Sequence, residues 1–365
     1  MQLISKELKQ RFLELQIQAK SVIQGHIQLS MAEELQQLSH SVSADDRRDR
    51  YGEGGSINDF EQQLCHLFAQ PSCVFLATGT LAQCAALKCY REESARRCVG
   101  LHPTSHLLLH EHRAIEKLWG LNTSEMGRQH HVLSIEDVRQ LNPETTAAIV
   151  IEIPMREIGG ALPSWEDLSE IRAWCTKHNV KMHLDGARIW QSTEFYQRSL
   201  AEIASLFDSL YLSFYKDIGG IFGAALLGSS AFIAQARIWA RRAGGNPITL
   251  YPEVIAARTG LNKYLSQMPQ FVDYTKQVCA ALEAAPLTIV PAQPQAAMFH
   301  LRFDMDGESL VEKILRYGQD TGIIVLPLPR WGNEHSCCCE ISIGERAITQ
   351  QAQFWAKHIQ ACLAQ

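Results

Sequence analysis

The sequence lacks the features that mark membrane, secreted and nucleic-acid-binding proteins. Its longest apolar runs, such as residues 221–227, contain glycine and are too short to cross a bilayer. The first 18 residues are charged throughout and hold no apolar core of a signal peptide. No block of basic residues is present and the formal net charge is −5, which disfavours nucleic acid as a partner. We therefore expect a soluble cytoplasmic protein with no membrane or nucleic-acid partner.

The sequence also lacks a recognisable metal site. Its eleven cysteines include no CxxC pair with zinc spacing, and consecutive residues such as Cys337–Cys339 would point to alternate faces of a strand. Four histidines lie close together without a second cluster that has a clear ligand pattern, namely His102, His106, His110 and His112. We expect reduced core cysteines and no bound metal.

What the sequence contains is an alternation of strand and helix patterns in a chain of 365 residues, 46% of them hydrophobic. From Cys73 to Leu227 this alternation predicts a mainly parallel sheet with helices on both faces. The length allows two domains. We expect an N-terminal helical arm over residues 1–50, a large α/β domain over 51–251 and a small α+β domain over 252–365.

Two of the predicted buried strands end in residues of opposite charge. Asp185 follows the apolar run 180–184 and Lys216 follows the run 209–214, which places both at the carboxyl ends of neighbouring parallel strands. A buried lysine can lose its proton and attack a carbonyl carbon, and a buried carboxylate can keep a heterocyclic nitrogen protonated. Either residue alone is better explained as a surface lysine or a turn-capping aspartate. The pair suits pyridoxal phosphate (PLP).

A candidate phosphate site precedes this pair in the chain. Thr78, Gly79 and Thr80 separate an apolar strand pattern from a helix pattern. Small residues at such a junction expose backbone N–H groups at the positive end of the helix, where an anion binds. An ordinary strand–helix turn is the alternative interpretation of these three residues.

With these motifs the chain resembles the threonine aldolase and aromatic amino acid β-eliminating lyase family of fold-type I PLP-dependent enzymes. The resemblance runs from about residue 46 to residue 228 and rests on His183–Arg188 (HLDGAR), Ala77–Thr80, Ser105-His106 with Glu111, and Lys216. It implies an α/β, PLP-dependent transferase-like fold with a mainly parallel seven-stranded sheet flanked by helices and a smaller α+β C-terminal domain. It also implies a homodimer or homotetramer with sites at the subunit interface.

The resemblance gives roles to individual residues. Lys216 resembles the Schiff-base lysine, and Asp185 resembles the partner of the ring nitrogen. Residues 78–80 resemble the phosphate turn, and His106 resembles the imidazole that stacks on the ring. Arg188 would lie near the cofactor hydroxyl and the substrate carboxylate.

Several positions depart from the family pattern and concern the substrate. Met155 stands where many threonine aldolases have a second histidine, and Glu340 stands near the place of a substrate-binding arginine. Tyr215 replaces the usual serine before the lysine. The cofactor assignment survives these changes, whereas the aldolase assignment is weakened.

Residues near a third strand end could replace the missing groups. Arg156 could grip a substrate carboxylate with its planar guanidinium, and Arg330 is a second candidate. Glu157 or His106 could act as a base, although an Arg156–Glu157 ion pair that shapes the loop is an equal alternative. The family resemblance also implies that Tyr51 approaches the site of a neighbouring subunit and binds substrate there.

The predicted function is that of a PLP-dependent lyase acting on amino acids. Retro-aldol cleavage of a threonine-like β-hydroxy amino acid to glycine and an aldehyde is the first hypothesis. β-Elimination from another amino acid is the second and transamination the third. A binding protein on a retired enzyme fold is a further alternative, which the pair of Lys216 and Asp185 disfavours.

Overall fold

The computed structural model describes residues 3–23, 25–27 and 29–365. The α-helices of these residues are α1 (Lys6–Gln18), α2 (Met31–His40), α3 (Gly55–Phe68), α4 (Gly79–Glu93), α5 (His106–Leu109), α6 (Ala114–Lys117), α7 (Ile135–Val138), α8 (Trp165–His178), α9 (Thr193–Tyr196), α10 (Leu200–Ala204), α11 (Ser230–Arg242), α12 (Tyr251–Tyr264), α13 (Met268–Leu282), α14 (Gly307–Thr321) and α15 (Ala352–Leu363). The strands are β1 (Ser21–Val22), β2 (Ser72–Leu76), β3 (Cys98–Leu101), β4 (Asn122–Glu125), β5 (Thr146–Glu152), β6 (Lys181–Gly186), β7 (Ser209–Ser213), β8 (Ala224–Gly228), β9 (Thr288–Val290), β10 (Met298–Phe303), β11 (Ile323–Ile324), β12 (Trp331–Gly332) and β13 (Cys337–Ser342).

A seven-stranded sheet forms the centre of the larger of two compact units. Its strand order is β2-β8-β7-β6-β5-β3-β4, and β8 runs antiparallel to both of its neighbours while the other pairs are parallel. Strands β7 and β8 are buried along their whole length, as expected for a sheet with helices on both faces. The predicted fold class, a mainly parallel seven-stranded α/β sheet flanked by helices, is confirmed.

Aromatic packing fixes the strand end that leads to Lys216. The ring of Phe214 lies 5.2 Å from that of Phe60, 5.8 Å from that of Phe75 and 6.0 Å from that of Trp190, measured between ring centroids. All four side chains are fully or almost fully buried. Because large aromatic side chains contribute much of the packing energy of a core, this cluster holds the end of β7 in place.

The second unit comprises the described residues up to Ile27, residues 158–161 and residues 267–365. It contains the antiparallel sheet β12-β13-β10-β9 and the parallel pair β1–β11. Helix α1 packs on α14 within it. The division differs from the expected boundaries in two ways. The described residues up to Ile27 group with the C-terminal part, where β1 pairs with β11, and α12 belongs to the larger unit.

The cysteines are free thiols, most of them in the interior. All eleven cysteines are free, and nine of them are buried. Among residues 3–23, 25–27 and 29–365, none of the helices combines the length and the hydropathy that crossing a bilayer requires. The same residues contain no group of three or more side chains placed to hold a metal ion.

Candidate active site

The parallel strands β5, β6 and β7 end side by side, and several of the predicted site residues lie at these ends. Their register pairs Glu152 with Asp185 and Asp185 with Tyr211. A cavity at these strand ends is lined by Gly79, Thr80, Gln83, His106, Glu111, Glu152, Arg156, Asp185, Ala187, Arg188, Tyr211, Tyr215 and Lys216. Ligands bind at this edge in open α/β sheets, so the position agrees with the topology.

Asp185 is buried, and its carboxylate receives two hydrogen bonds. The Gln83 Nε2 atom donates to Asp185 Oδ2 at 3.0 Å, and the Ala187 backbone N–H donates to Oδ1 at 3.2 Å. Burial raises the pKa of Asp185, while the charge of Lys216 and the two hydrogen bonds act in the opposite direction. The donors therefore hold the carboxylate oriented in a site that water reaches poorly.

Glu152, at the end of β5, carries a second carboxyl group beside Asp185 and is half-buried. Its Oε1 atom accepts a hydrogen bond from the Arg156 backbone N–H at 3.1 Å. Burial, followed by the negative charge of Asp185, raises the pKa of Glu152 to about 8. Two carboxylates this close in a buried site do not ionise together, so Glu152 retains a proton near neutral pH.

Lys216 lies in a loop after β7 and faces the same cavity. Burial lowers the pKa of Lys216, the positive charge of Arg188 lowers it further, and Asp185 raises it. Arg188 is itself buried, with its Nε atom 3.8 Å from Asp217 Oδ1. A lysine whose pKa is lowered has a larger fraction of neutral amine, which is the nucleophilic form.

The turn at residues 78–80 leads from β2 into α4, and its Gly79 and Thr80 line the cavity. Thr78 caps α4, with its Oγ1 atom accepting from the Leu81 backbone N–H at 3.3 Å. A Cβ atom at Gly79 would collide with the hydroxyl group of Tyr211, so only glycine fits here. The start of α4 therefore approaches the cavity with its backbone, as an anion site requires.

A histidine-rich segment, His106–Glu111, forms another wall of the cavity. Thr80 Oγ1 donates a hydrogen bond to Glu111 Oε1 at 2.8 Å, and His106 Nε2 lies 3.4 Å from the same oxygen. Burial raises the pKa of Glu111 to about 7 and lowers the pKa of His106 to about 4, the latter with help from Lys216. Near neutral pH His106 is uncharged and Glu111 is close to its midpoint.

Tyr51 and Arg330 are not among the lining residues of this cavity. Tyr51 is 46% exposed and lines a separate pocket with Arg237 and Arg241. Arg330 belongs to the smaller unit, where its Nη1 atom lies 3.5 Å from Glu340 Oε2.

The consecutive residues Met155, Arg156 and Glu157 have different surroundings. Met155 is buried. Arg156 lines the cavity, whereas the lining just described does not include Glu157. The Glu157 carboxylate instead contacts His110, with Oε1 2.9 Å from Nε2.

Sequence reasoning did not assign a site role to Gln83, Glu152, Glu111 or Tyr211. Gln83 lies one helical turn after Gly79, so the face of α4 that carries the phosphate turn could have indicated it. Glu152 pairs with Asp185 at the carboxyl end of the neighbouring strand, so its position at a strand end could have indicated a site role as well. Tyr211 carries no sequence signal, because its place beside Gly79 arises from the packing of α4 on β7.

The residues present fit PLP. The cavity combines the amine of Lys216, whose pKa is lowered, with the buried and oriented carboxylate of Asp185. At Gly79 the backbone of the first turn of α4 also faces the cavity without a side chain. In addition, Gln83 Oε1 and Glu111 Oε2 are buried without a hydrogen-bond partner among the described residues. Buried polar atoms of this kind are usually satisfied, so they indicate a missing polar ligand.

The chain is similar in sequence to a known enzyme family. The sequence model of the β-eliminating lyase family matches residues 30–303. A low-specificity L-threonine aldolase from Candida albicans is 24% identical over 244 residues, which cover 62% of this chain and 63% of that protein. The match thus spans less than two thirds of that protein's length.

Two solved structures match over almost the whole chain. A candidate L-allo-threonine aldolase from Listeria monocytogenes EGD-E has 31% identity and a TM-score of 0.92, with 98% of this chain and 99% of that chain covered. A candidate aromatic amino acid β-eliminating lyase/threonine aldolase from Exiguobacterium sp. 255-15 has 32% identity and a TM-score of 0.91, with coverage of 96% and 99%. The chain belongs to the β-eliminating lyase family of fold-type I PLP-dependent enzymes.

Proposed function

We propose that the protein is a PLP-dependent lyase that cleaves a threonine-like β-hydroxy amino acid to glycine and an aldehyde. One observation carries the proposal: Lys216, Asp185 and Arg188 line a single cavity at the ends of neighbouring parallel strands. Membership of the family and similarity to the threonine aldolases named above support it.

The proposed cofactor contacts come from three elements. Lys216 would hold the aldehyde carbon, and Asp185, oriented by Gln83, would hold the ring nitrogen. Residues 78–80 would hold the phosphate, with Arg188 and His106 at the ring. When bound, PLP supplies an electron-accepting ring that stabilises the carbanion left by bond cleavage at an amino acid Cα. Asp185 contributes by keeping a negative charge beside the ring nitrogen.

Cleavage between Cα and Cβ requires a proton acceptor for the β-hydroxyl group. His106 and Glu111 are positioned for this task, because they lie 3.4 Å apart on one wall of the cavity. A pKa near the working pH suits a general base, and the pKa of Glu111 is raised to about 7. Thr80 orients the carboxylate by donating to one of its oxygens.

Substrate orientation decides which Cα bond breaks. We propose Arg188 and Arg156, which both line the cavity, as ligands of the substrate carboxylate. A guanidinium can bind a carboxylate with two parallel hydrogen bonds, so it fixes both distance and rotation. Arg330 remains a further proposed substrate ligand.

The direct test is a product assay on the purified protein with PLP. Threonine, allo-threonine and phenylserine are supplied in turn, and glycine and aldehyde are measured together. The expected result is equal amounts of both products from at least one substrate. Absence of glycine from all three would reject retro-aldol cleavage.

A second candidate function is β-elimination, favoured by the buried, apolar Met155 near the cavity-lining Arg156 and by the similarity to the Exiguobacterium protein. It would yield ammonia and an oxo acid from serine, cysteine or an aromatic amino acid. Release of ammonia without glycine would select this reaction over the first.

We also propose a cytoplasmic homodimer or homotetramer. The exposed Tyr51, which does not line the cavity of its own chain, is available to a neighbouring copy and supports this assembly. Light scattering on the purified protein would give the mass. A monomer that cleaves substrate at the full rate would reject it.

A further inference from the structure

A second histidine–carboxylate pair lies next to the His106–Glu111 wall. His110 is the residue directly after α5, and its Nε2 atom is 2.9 Å from Glu157 Oε1. Glu157 comes from the short 3-10 turn after β5, 47 residues further along the chain. The contact therefore ties two segments that each supply a lining residue, His106 from one and Arg156 from the other.

The pair also lies close enough to His106 to act on it. The rings of His106 and His110 are 5.0 Å apart between centroids and inclined at 42°. Their backbones belong to one helical turn, in which the His110 N–H donates to the His106 carbonyl oxygen at 2.9 Å. Any rotation of this turn would move both imidazoles together.

The charge environment of His106 is then set from several sides. The charged and titratable groups that act on it are Glu111, His110, Lys216, Arg156 and Arg188. The Glu157 carboxylate holds the His110 imidazole in place beside His106. Burial lowers the pKa of His106, and the charges of Lys216 and His110 lower it further, so its ring is neutral, the state in which one nitrogen can accept a proton.

We propose that Glu157 and His110 are positioning residues that hold His106 neutral and turned toward the cavity, so that His106 and Glu111 can accept the substrate proton. This inference rests on the proposed lyase function and deepens it. Neither Glu157 nor His110 belongs to the cavity lining, so they act through His106 rather than on the substrate.

The first measurement uses the cofactor-free protein with ¹³C-labelled histidine rings. NMR titration gives the pKa of His106, whose signal is assigned from its absence in His106→Gln. His110→Gln should raise the pKa of His106, because the neighbouring positive charge is gone. The matched control is His112→Gln, which replaces an exposed histidine directly after this segment and should leave the pKa of His106 unchanged.

The second measurement uses the holoenzyme. His110→Gln should lower kcat about tenfold with KM within about twofold, since misplacement of a base affects the transition state more than binding. Glu157→Gln keeps an oxygen acceptor for His110 and should retain more activity than Glu157→Ala. Circular dichroism establishes whether each variant is folded. If His110→Gln is unfolded, the comparison of Glu157→Gln with Glu157→Ala tests the positioning role instead.

His110→Gln behaving like His112→Gln in both measurements would overturn the positioning role. The NMR titration needs no substrate, so it decides the inference even if the retro-aldol assay fails. A shifted His106 together with no glycine release would leave the positioning role supported and reject the proposed reaction.

Discussion

The two walls of the cavity are built in different ways. The strand-end wall, Glu152, Asp185 and Lys216, is placed by the register of β5, β6 and β7 and by the buried rings around Phe214. The α5 wall, His106 to Glu111, is placed by side-chain contacts from Thr80 and Glu157. Backbone pairing positions the first wall, whereas side-chain contacts position the polar groups of the second. We therefore expect the strand-end wall to carry the chemistry and the α5 wall to adjust it.

The largest expected effect is on the strand-end wall. Lys216→Ala should lower kcat/KM by at least about 10³-fold and abolish the visible absorbance of covalently held PLP, because it removes both the amine and a proton carrier. Lys181→Ala is the matched control, since Lys181 lies at the start of β6 and pairs with Glu93 on the surface. An unchanged spectrum would mean that another lysine holds the aldehyde.

Asp185→Asn should have the next largest effect. The amide keeps the shape but removes the charge beside the ring nitrogen, and we expect kcat/KM to fall about 10²-fold. Comparison with Gln83→Ala, expected to lose about tenfold, would separate the charge from its orientation. If Gln83→Ala lowered kcat/KM more than Asp185→Asn does, the orientation of the Asp185 side chain would matter more than its charge.

On the α5 wall, Glu111→Gln should lower kcat about tenfold. The pKa of Glu111 is raised to about 7 by burial. Because the ionised form accepts the proton, wild-type kcat should rise with pH through about 7, and this limb should vanish in Glu111→Gln. A limb that persists in the variant would assign the ionisation to another group and make the two walls equal contributors.

The smallest effect concerns stability rather than rate. The pKa of Glu152 is raised by burial to about 8 from an ordinary value of 4.5. Between these values the folded cofactor-free protein keeps a proton that the unfolded chain has released, so the free energy of unfolding should fall as pH rises through that window. Urea midpoints should decline from pH 5 to pH 8 in the wild type and less steeply in Glu152→Gln. Equal slopes would show that Glu152 ionises normally.

The same contrast explains what the sequence could predict. Asp185 and Lys216 were predicted because each ends an apolar strand pattern, and strand patterns are local. The turn at Gly79 was predicted for the same reason. The seven-stranded count came from the family resemblance and is confirmed.

Features that depend on distant packing were not predicted. The contact of Gln83 with Asp185 spans 102 positions of the sequence, and that of Thr80 with Glu111 spans 31. Glu157 was expected to act as a base or to pair with Arg156, and its contact with His110 follows from how α5 meets the turn after β5. No local pattern carries such information, because it arises only when the sheet has assembled.

The pairing of β1 with β11 has a consequence for synthesis. Ser21 and Val22 pair with Ile323 and Ile324, so about 300 residues must be synthesised after β1 before its partner strand β11 exists. At ordinary translation rates this interval is roughly 15 to 60 seconds. All residues of the larger unit have been synthesised before β11. We therefore expect the larger unit to fold first and the β1–β11 pair to form afterwards.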